Sequence, residues 1–231
     1  MDWQRRDLLA GAAAAGLGLV GATARAAAPK KEKEKEKGGD IPPTEDLMRE
    51  HGVLRRLLLV YGEAARRIAG GDAAPLPVVA SAAGIVRRFV EGYHEKLEED
   101  FVFPKMEKAG KRADLTKILR EQHAAGRKLT DTIAAAAKAG AAASAADRRA
   151  VVAAIDAFGR MYTPHAAWED TELFPAYRTL FTEAELDKLG DKFEEREHQL
   201  LGGGGFEGSL REVGDLETAL GIHDLAKYTP K

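Results

Sequence analysis

The chain has no cysteine among its 231 residues. That absence excludes a disulfide framework, a thiolate zinc site, a cysteine-ligated iron–sulfur cluster and a thiol nucleophile. Any metal it holds must be taken by nitrogen and oxygen ligands. Aromatic residues are scarce at 6%, and alanine is abundant, which favours helix over sheet. The formal net charge is only -2, so there is no basic field of the kind that draws nucleic acid. No run of 18 or more strongly apolar residues occurs, so the sequence predicts no membrane span. What remains is a 45% hydrophobic chain, long enough for one domain with a sizeable core plus tails.

The first 28 residues read as an export signal. Arg5 and Arg6 precede Asp7-Leu8-Leu9 and a mildly apolar Ala/Gly/Leu stretch to Val20, and Ala24-Arg25-Ala26 has the form of a cleavage site. The paired arginines resemble a bacterial twin-arginine (Tat) leader, which implies a periplasmic or exported protein, released already folded. An ordinary secretory signal or an uncleaved anchor is the alternative. Residues 29–43 form a linker: Lys and Glu fill positions 30–37, then Gly38-Gly39 and Pro42-Pro43 follow. With nothing apolar to bury, its charged part stays solvated.

From Thr44 the pattern is helical. Thr44 is expected to cap a first helix whose apolar face carries Leu47, Val53, Leu54, Leu57, Leu58 and Tyr61, stopped at Gly70-Gly71. A second helix runs from Pro75–Pro77 to Phe103, with Pro104 as its breaker, and a third from Asp114 to Gly140. Ser144 with Asp147 opens a fourth, which runs to Tyr177 with Pro164 expected to kink or bulge it. Thr182-Glu183-Ala184-Glu185 is a capping box for a fifth helix to Leu201, and a sixth covers Glu207–Leu220. No segment alternates long enough for a strand. The fold class is all-α: an up-down-up-down four-helix bundle over residues 44–178, with a helical extension over 179–231.

Four of the six histidines fall one to each long helix: His51, His94, His123 and His165. Two are followed four residues later by Glu, as His94/Glu98 and His165/Glu169, which places each pair on one helix face. The arrangement repeats. His51 to His94 spans 43 residues and His123 to His165 spans 42; Arg55 and Arg127 follow the first histidine of each half by four, and each second helix reads H-x-x-x-E-x-x-x-x-F-P, ending in Phe103-Pro104 and Phe174-Pro175. Two matched hairpins on a pseudo-twofold axis bring four imidazoles and two carboxylates to the bundle centre. Such groups are costly to bury unless paired or bound to metal. Imidazole and carboxylate without thiolate suit Fe, Mn or Zn. Six ligands exceed one tetrahedral zinc, whereas two carboxylates bridging two ions suit a dinuclear centre completed by solvent.

At these residues the chain resembles the haemerythrin-like (HHE cation-binding) family over about residues 44–178. The resemblance implies a four-helix bundle with a non-haem di-iron site, two Fe ions joined by an oxo or hydroxo bridge, used for binding dioxygen or another small diatomic ligand, sensing iron or related redox work. It implies His51, His94, His123 and His165 as terminal ligands and Glu98 and Glu169 as bridges. Arg127 stands where oxygen carriers have another histidine, and Glu169 stands where they have an aspartate spaced five from its histidine, which brings the chain closer to the bacterial and F-box iron-sensing branches. By that comparison Glu95 is a further ligand; its direction, about 100° from His94 around the helix, puts it at the edge of the pocket or out in solvent.

Other assignments compete. A ferritin-like carboxylate oxidase would use Glu-x-x-His, found as Glu91…His94 and Glu195…His198. A metal-free helical interaction module would leave the repeat without a purpose. His198 and His223, outside the repeat, read as ordinary surface or core residues. Phe103, Phe174 and Trp168 read as core packing, Tyr162 as a pocket residue or an extra ligand, and Arg55 and Arg127 as solvated or paired with acids.

Overall fold

The computed structural model describes residues 41–230; the expected export signal and the part of the expected linker before residue 41 lie outside them. Six helices follow in order: α1 (Pro43–Ala69), α2 (residues 76–108), α3 (Ala113–Ala137), α4 (residues 145–178), α5 (Glu183–Leu201) and α6 (Gly205–Leu220). Among the described residues there is no strand, and no helix is long and apolar enough to cross a membrane. The first four helices are the expected up-down-up-down bundle, and α5 and α6 are the helical extension.

Both predicted capping boxes form. The Ser144 hydroxyl accepts from the Asp147 backbone N–H at 3.1 Å, and the Asp147 carboxylate accepts from the Ser144 N–H at 2.9 Å. At Thr182 the Glu185 carboxylate accepts the backbone N–H at 2.8 Å. The first helix starts differently from expectation. Its cap is Pro42, and the Thr44 hydroxyl donates to Glu45 instead of accepting from the backbone. Pro43 explains this: a proline at the first helical position is pre-set in φ and brings no N–H that needs a cap.

Pro104 does not end its helix. The turn before it, Glu98–Val102, is π-helical, and α-helix resumes over Phe103–Lys108. The other half does the same, with a π-turn over Glu169–Leu173 and α-helix over Phe174–Arg178. The last wide-turn bonds run from Phe103 N–H to the Glu98 carbonyl and from Phe174 N–H to the Glu169 carbonyl. The widened turn accommodates a residue that cannot donate and whose ring would strike the carbonyl four residues back. Each π-turn therefore begins at the repeated glutamate. Pro164, expected to kink or bulge α4, lies within continuous α-helix, and the bulge comes one turn later. A further π stretch, Val86–His94, occurs only in the half with the longer histidine spacing.

The core fills the bundle with Leu57, Val60, Tyr61, Phe89 and Phe158 on one side of the repeated histidines, and Phe103, Phe174 and Tyr177 at them and beyond. The extension closes the α1/α2 side. Arg56 on α1 grips Glu217 on α6 through two hydrogen bonds of 2.7 and 2.5 Å, and Phe193 on α5 sits 5.5 Å from Phe101. Trp168, expected in the core, is 55% exposed.

Where α3 meets α4 the approach is close. A Cβ on Gly126 would stand 2.0 Å from the Tyr162 hydroxyl, whereas one on Gly159 meets nothing within 4 Å. Gly126→Ala is expected to destabilise by about 1–3 kcal/mol through overpacking. Gly159→Ala is expected to gain about 0.4–1 kcal/mol by restricting the unfolded chain. Urea denaturation of the two variants measures both.

Candidate metal centre

The repeated residues meet in the middle of the bundle. His51, His94, His123 and His165 are all buried, and Glu98 and Glu169 are fully so. They form two overlapping groups whose ligand atoms lie within 4.8 Å of one another: His51, His94, Glu98 and Glu169 in one, and His123, His165, Glu98 and Glu169 in the other. Both glutamates belong to both groups.

Each ring turns Nε2 inward. His51 and His165 hold theirs 3.3 and 3.2 Å from one Glu169 oxygen. His123 and His94 hold theirs 3.4 and 3.7 Å from the two oxygens of Glu98. The Nε2 atoms of His51 and His94 are 3.1 Å apart. Each Nδ1 turns outward to an acceptor: Asp170 for His51 at 2.7 Å, Glu50 for His94 at 2.6 Å, Glu99 for His123 at 3.2 Å and Gln122 for His165 at 2.8 Å. A neutral imidazole that donates from Nδ1 presents a lone pair at Nε2. Inward lone pairs facing each other and two carboxylates repel in a dry interior. None of the four oxygens of Glu98 and Glu169, nor Nε2 of His123, has a hydrogen-bond partner. A buried carboxylate in that condition is several kcal/mol from rest unless a cation neutralises it. The donor set therefore fits metal ions on both sides of the glutamate pair, with outer acceptors orienting each ring as metal-binding histidines require.

The outer contacts obey the same pseudo-twofold as the repeat. Glu50 and Gln122, each just before the first histidine of its half, hold the second histidine of that half. Asp170 and Glu99, each just after the glutamate, hold the first histidine of the opposite half. Arg55 pairs with Asp170, and Arg127 with Glu99 at 2.5 Å. Phe174 stacks on His51 and Phe103 on His123, at centroid distances of 5.5 and 5.4 Å. The Phe-Pro pairs thus cover the imidazoles as well as closing the helix turns.

Glu95 lies outside both groups of four and forms a third group with Glu99 and His123. It is fully buried, neither at the inner pocket nor in solvent. Tyr162 donates to one of its oxygens at 2.7 Å and Arg127 to the other at 2.7 Å, and it stands 4.0 Å from the outer nitrogen of His123. Tyr162 is spent on this contact. The ferritin-like pairing does not assemble: Glu91 is engaged by Arg87 at 2.5 Å, and Glu195 and His198 are exposed on α5. His223 is exposed as well. Sequence reasoning missed Glu50, Glu99, Gln122 and Asp170. The available signal was adjacency, since each sits next to a repeated histidine or glutamate.

Burial alone would lower the histidine pKa values, but the surrounding acids outweigh it. The hydrogen bond to Asp170 and the facing Glu169 carboxylate raise His51 from 6.5 to about 10, the facing Glu98 carboxylate and the hydrogen bond to Glu99 raise His123 to about 10, and His94 is raised by Glu98 and Glu50. Burial and repulsion from Glu169 push Glu98 up; Glu169 is held far down, burial notwithstanding, by His165 and His51. The facing pair titrates as a unit. In the metal-free protein, the stability from protonated His51 and His123 is fully present below pH 6.5 and lost as pH rises through about 10. Metal competes with those protons, so its affinity runs the other way. The chelator-treated protein is expected to melt at falling temperature between pH 6.5 and 10, while metal affinity rises over the same window. Thermal scans and competition titrations check the two signs.

The comparisons agree with this geometry. The family model described as Hemerythrin HHE cation binding domain matches residues 43–177 and again residues 114–215. Uncharacterized proteins of Mycobacterium tuberculosis and Mycobacterium bovis are 46% identical to the chain over 193 residues, covering 83% of this chain and 76% of theirs. No solved structure matches it. The buried histidine–glutamate cluster, the helical bundle and the family match together make the chain a member of the haemerythrin HHE cation-binding family, a metal-binding four-helix bundle.

Proposed function

We propose that the protein is a non-haem di-iron protein that binds dioxygen or senses and buffers iron. The observation that carries the reading is the sharing of Glu98 and Glu169 between two groups of four ligands. Two carboxylates common to two positions suit a pair of ions better than a single one, and a ligand set of imidazole and carboxylate suits iron. In this reading His51 and His94 would hold one iron and His123 and His165 the other, with Glu98 and Glu169 common to both and solvent completing the ligand set. Bound iron supplies the redox chemistry and the open positions for a diatomic ligand.

The chain's own residues set the conditions. Asp170, Glu50 and Glu99 draw on the Nδ1 protons and make three of the rings stronger donors. Phe103 and Phe174 keep water from the faces of His123 and His51. Glu95, with Tyr162 and Arg127, adds a buried polar wall beside His123 without reaching the inner pocket. We also propose that residues 1–28 direct export to the periplasm and that residues 44–178 are the metal-binding unit.

Aerobically purified protein is expected to contain two irons per chain, with a visible charge-transfer band from the bridged pair. Glu98→Gln or Glu169→Gln removes that band and the bound iron, whereas Glu91→Gln and Glu195→Gln keep both. Elemental analysis and visible spectra decide it. One zinc per chain and no band would refute the di-iron reading.

A further inference from the structure

The pseudo-twofold is broken at one outer acceptor. His51, His94 and His123 each donate to a carboxylate, and His165 donates to the amide oxygen of Gln122. Glu50 is the counterpart of Gln122 in the repeat, so equivalent positions hold a charged acceptor in one half and a neutral one in the other. A carboxylate polarises the imidazole N–H and strengthens its inner nitrogen as a ligand; a neutral amide does so less. Glu95 adds a carboxylate on the His123 side, but Arg127 bridges both it and Glu99, and Tyr162 donates to it. That extra charge is therefore largely compensated and does not reach His165.

A second, independent feature converges on the same ring. A cleft of about 360 Å³ opens between α3 and α4, and its lining includes Leu115, Ile118, Gln122, Pro164, His165 and Trp168. It reaches an imidazole of the cluster, that of His165. Its rim carries two large apolar side chains left in water, Trp168 at 55% and Ile118 at 50% exposure. Pro164 has no N–H for the carbonyl of Arg160, so the turn that carries His165 is tied by one backbone bond fewer. The ring with the one neutral outer anchor thus stands beside open space, next to a proline that cannot donate.

We infer that the two metal positions are unequal, and that the one held by His123 and His165 exchanges its metal through the α3/α4 cleft, with Gln122 as the positioning residue that sets its lability. The inference rests on the two-metal reading above. Release begins as His165 swings its inner nitrogen away into the cleft, giving up one neutral hydrogen bond. The corresponding movement of His94 would break a charged hydrogen bond to Glu50. The breaking of the His165–metal bond is a ligand exchange, with water or an external chelator taking the vacated position and no change in oxidation state.

The test is the anaerobic release of ferrous iron from the loaded protein to ferrozine, followed by stopped-flow absorbance. The wild type is expected to release its iron in two phases of equal amplitude, one ion per chain in each. Gln122→Glu, which is isosteric, slows the fast phase by about tenfold and leaves the slow one alone. Trp168→Ala, at an exposed position, widens the cleft, speeding the fast phase alone. Melting temperatures of the metal-free variants, matched to the wild type, confirm that both are folded. Two ions released in one phase would overturn the inequality while leaving the di-iron reading standing. So would two phases in which Gln122→Glu moves the slow one or neither. A folded wild type that takes up no ferrous iron would overturn both.

Discussion

Everything in the bundle answers to one electrostatic demand: nitrogen lone pairs and two carboxylates point at one another where there is no water to screen them. In an aqueous pocket this would cost little. Here Glu98 and Glu169 are fully buried and their oxygens have no hydrogen-bond partner. Positive charge must come either from protons on the histidines or from metal ions. The acids around His51 and His123 make the proton solution comfortable, which is why their basicity is raised. The same acids make the metal solution better, because they pin the rings in the tautomer that offers Nε2 inward.

That demand reaches the backbone through proline. A regular α-helix through Pro104 or Pro175 would lose a bond and meet a steric clash, and the π-turns at Glu98–Val102 and Glu169–Leu173 relieve both. The relief occurs where each glutamate leaves its helix, and it turns the following phenylalanine onto an imidazole of the other hairpin. Helix winding, aromatic cover and carboxylate placement are one device, repeated once in each half.

Much of this was legible in the sequence. The four histidines at matched spacings, the two i+4 glutamates and the Phe-Pro pairs fix a common helix face in any register. The Ser144/Asp147 and Thr182/Glu185 boxes are local chemistry that needs no tertiary partner. What was missed at the outer acceptors has one cause: a residue's role came from a helix distant in sequence. Glu50, Glu99 and Asp170 look like solvated acids on a helical wheel, since one step along an α-helix is about 100° around it. They are taken up by a ring on another helix. The burial of Glu95 has the same origin, since Tyr162 and Arg127, which enclose it, lie 67 and 32 residues away. Pro104 was read as a breaker because a π-turn leaves no composition signal, and Trp168 as core because apolar bulk alone does not say which side of a helix faces water.

The exchange of outer acceptors between hairpins has a consequence for how such a molecule can be divided. His51 is oriented by Asp170 and His123 by Glu99, each from the opposite half. A single hairpin, however well wound, therefore carries a leading imidazole with nothing behind it and half of a bridge. Completion needs a second hairpin facing it across the axis. The smallest self-sufficient unit is a couple, and the fused duplicate found in this chain is that couple made permanent. Once joined, its members need not be identical, and at Glu50 and Gln122 they are not.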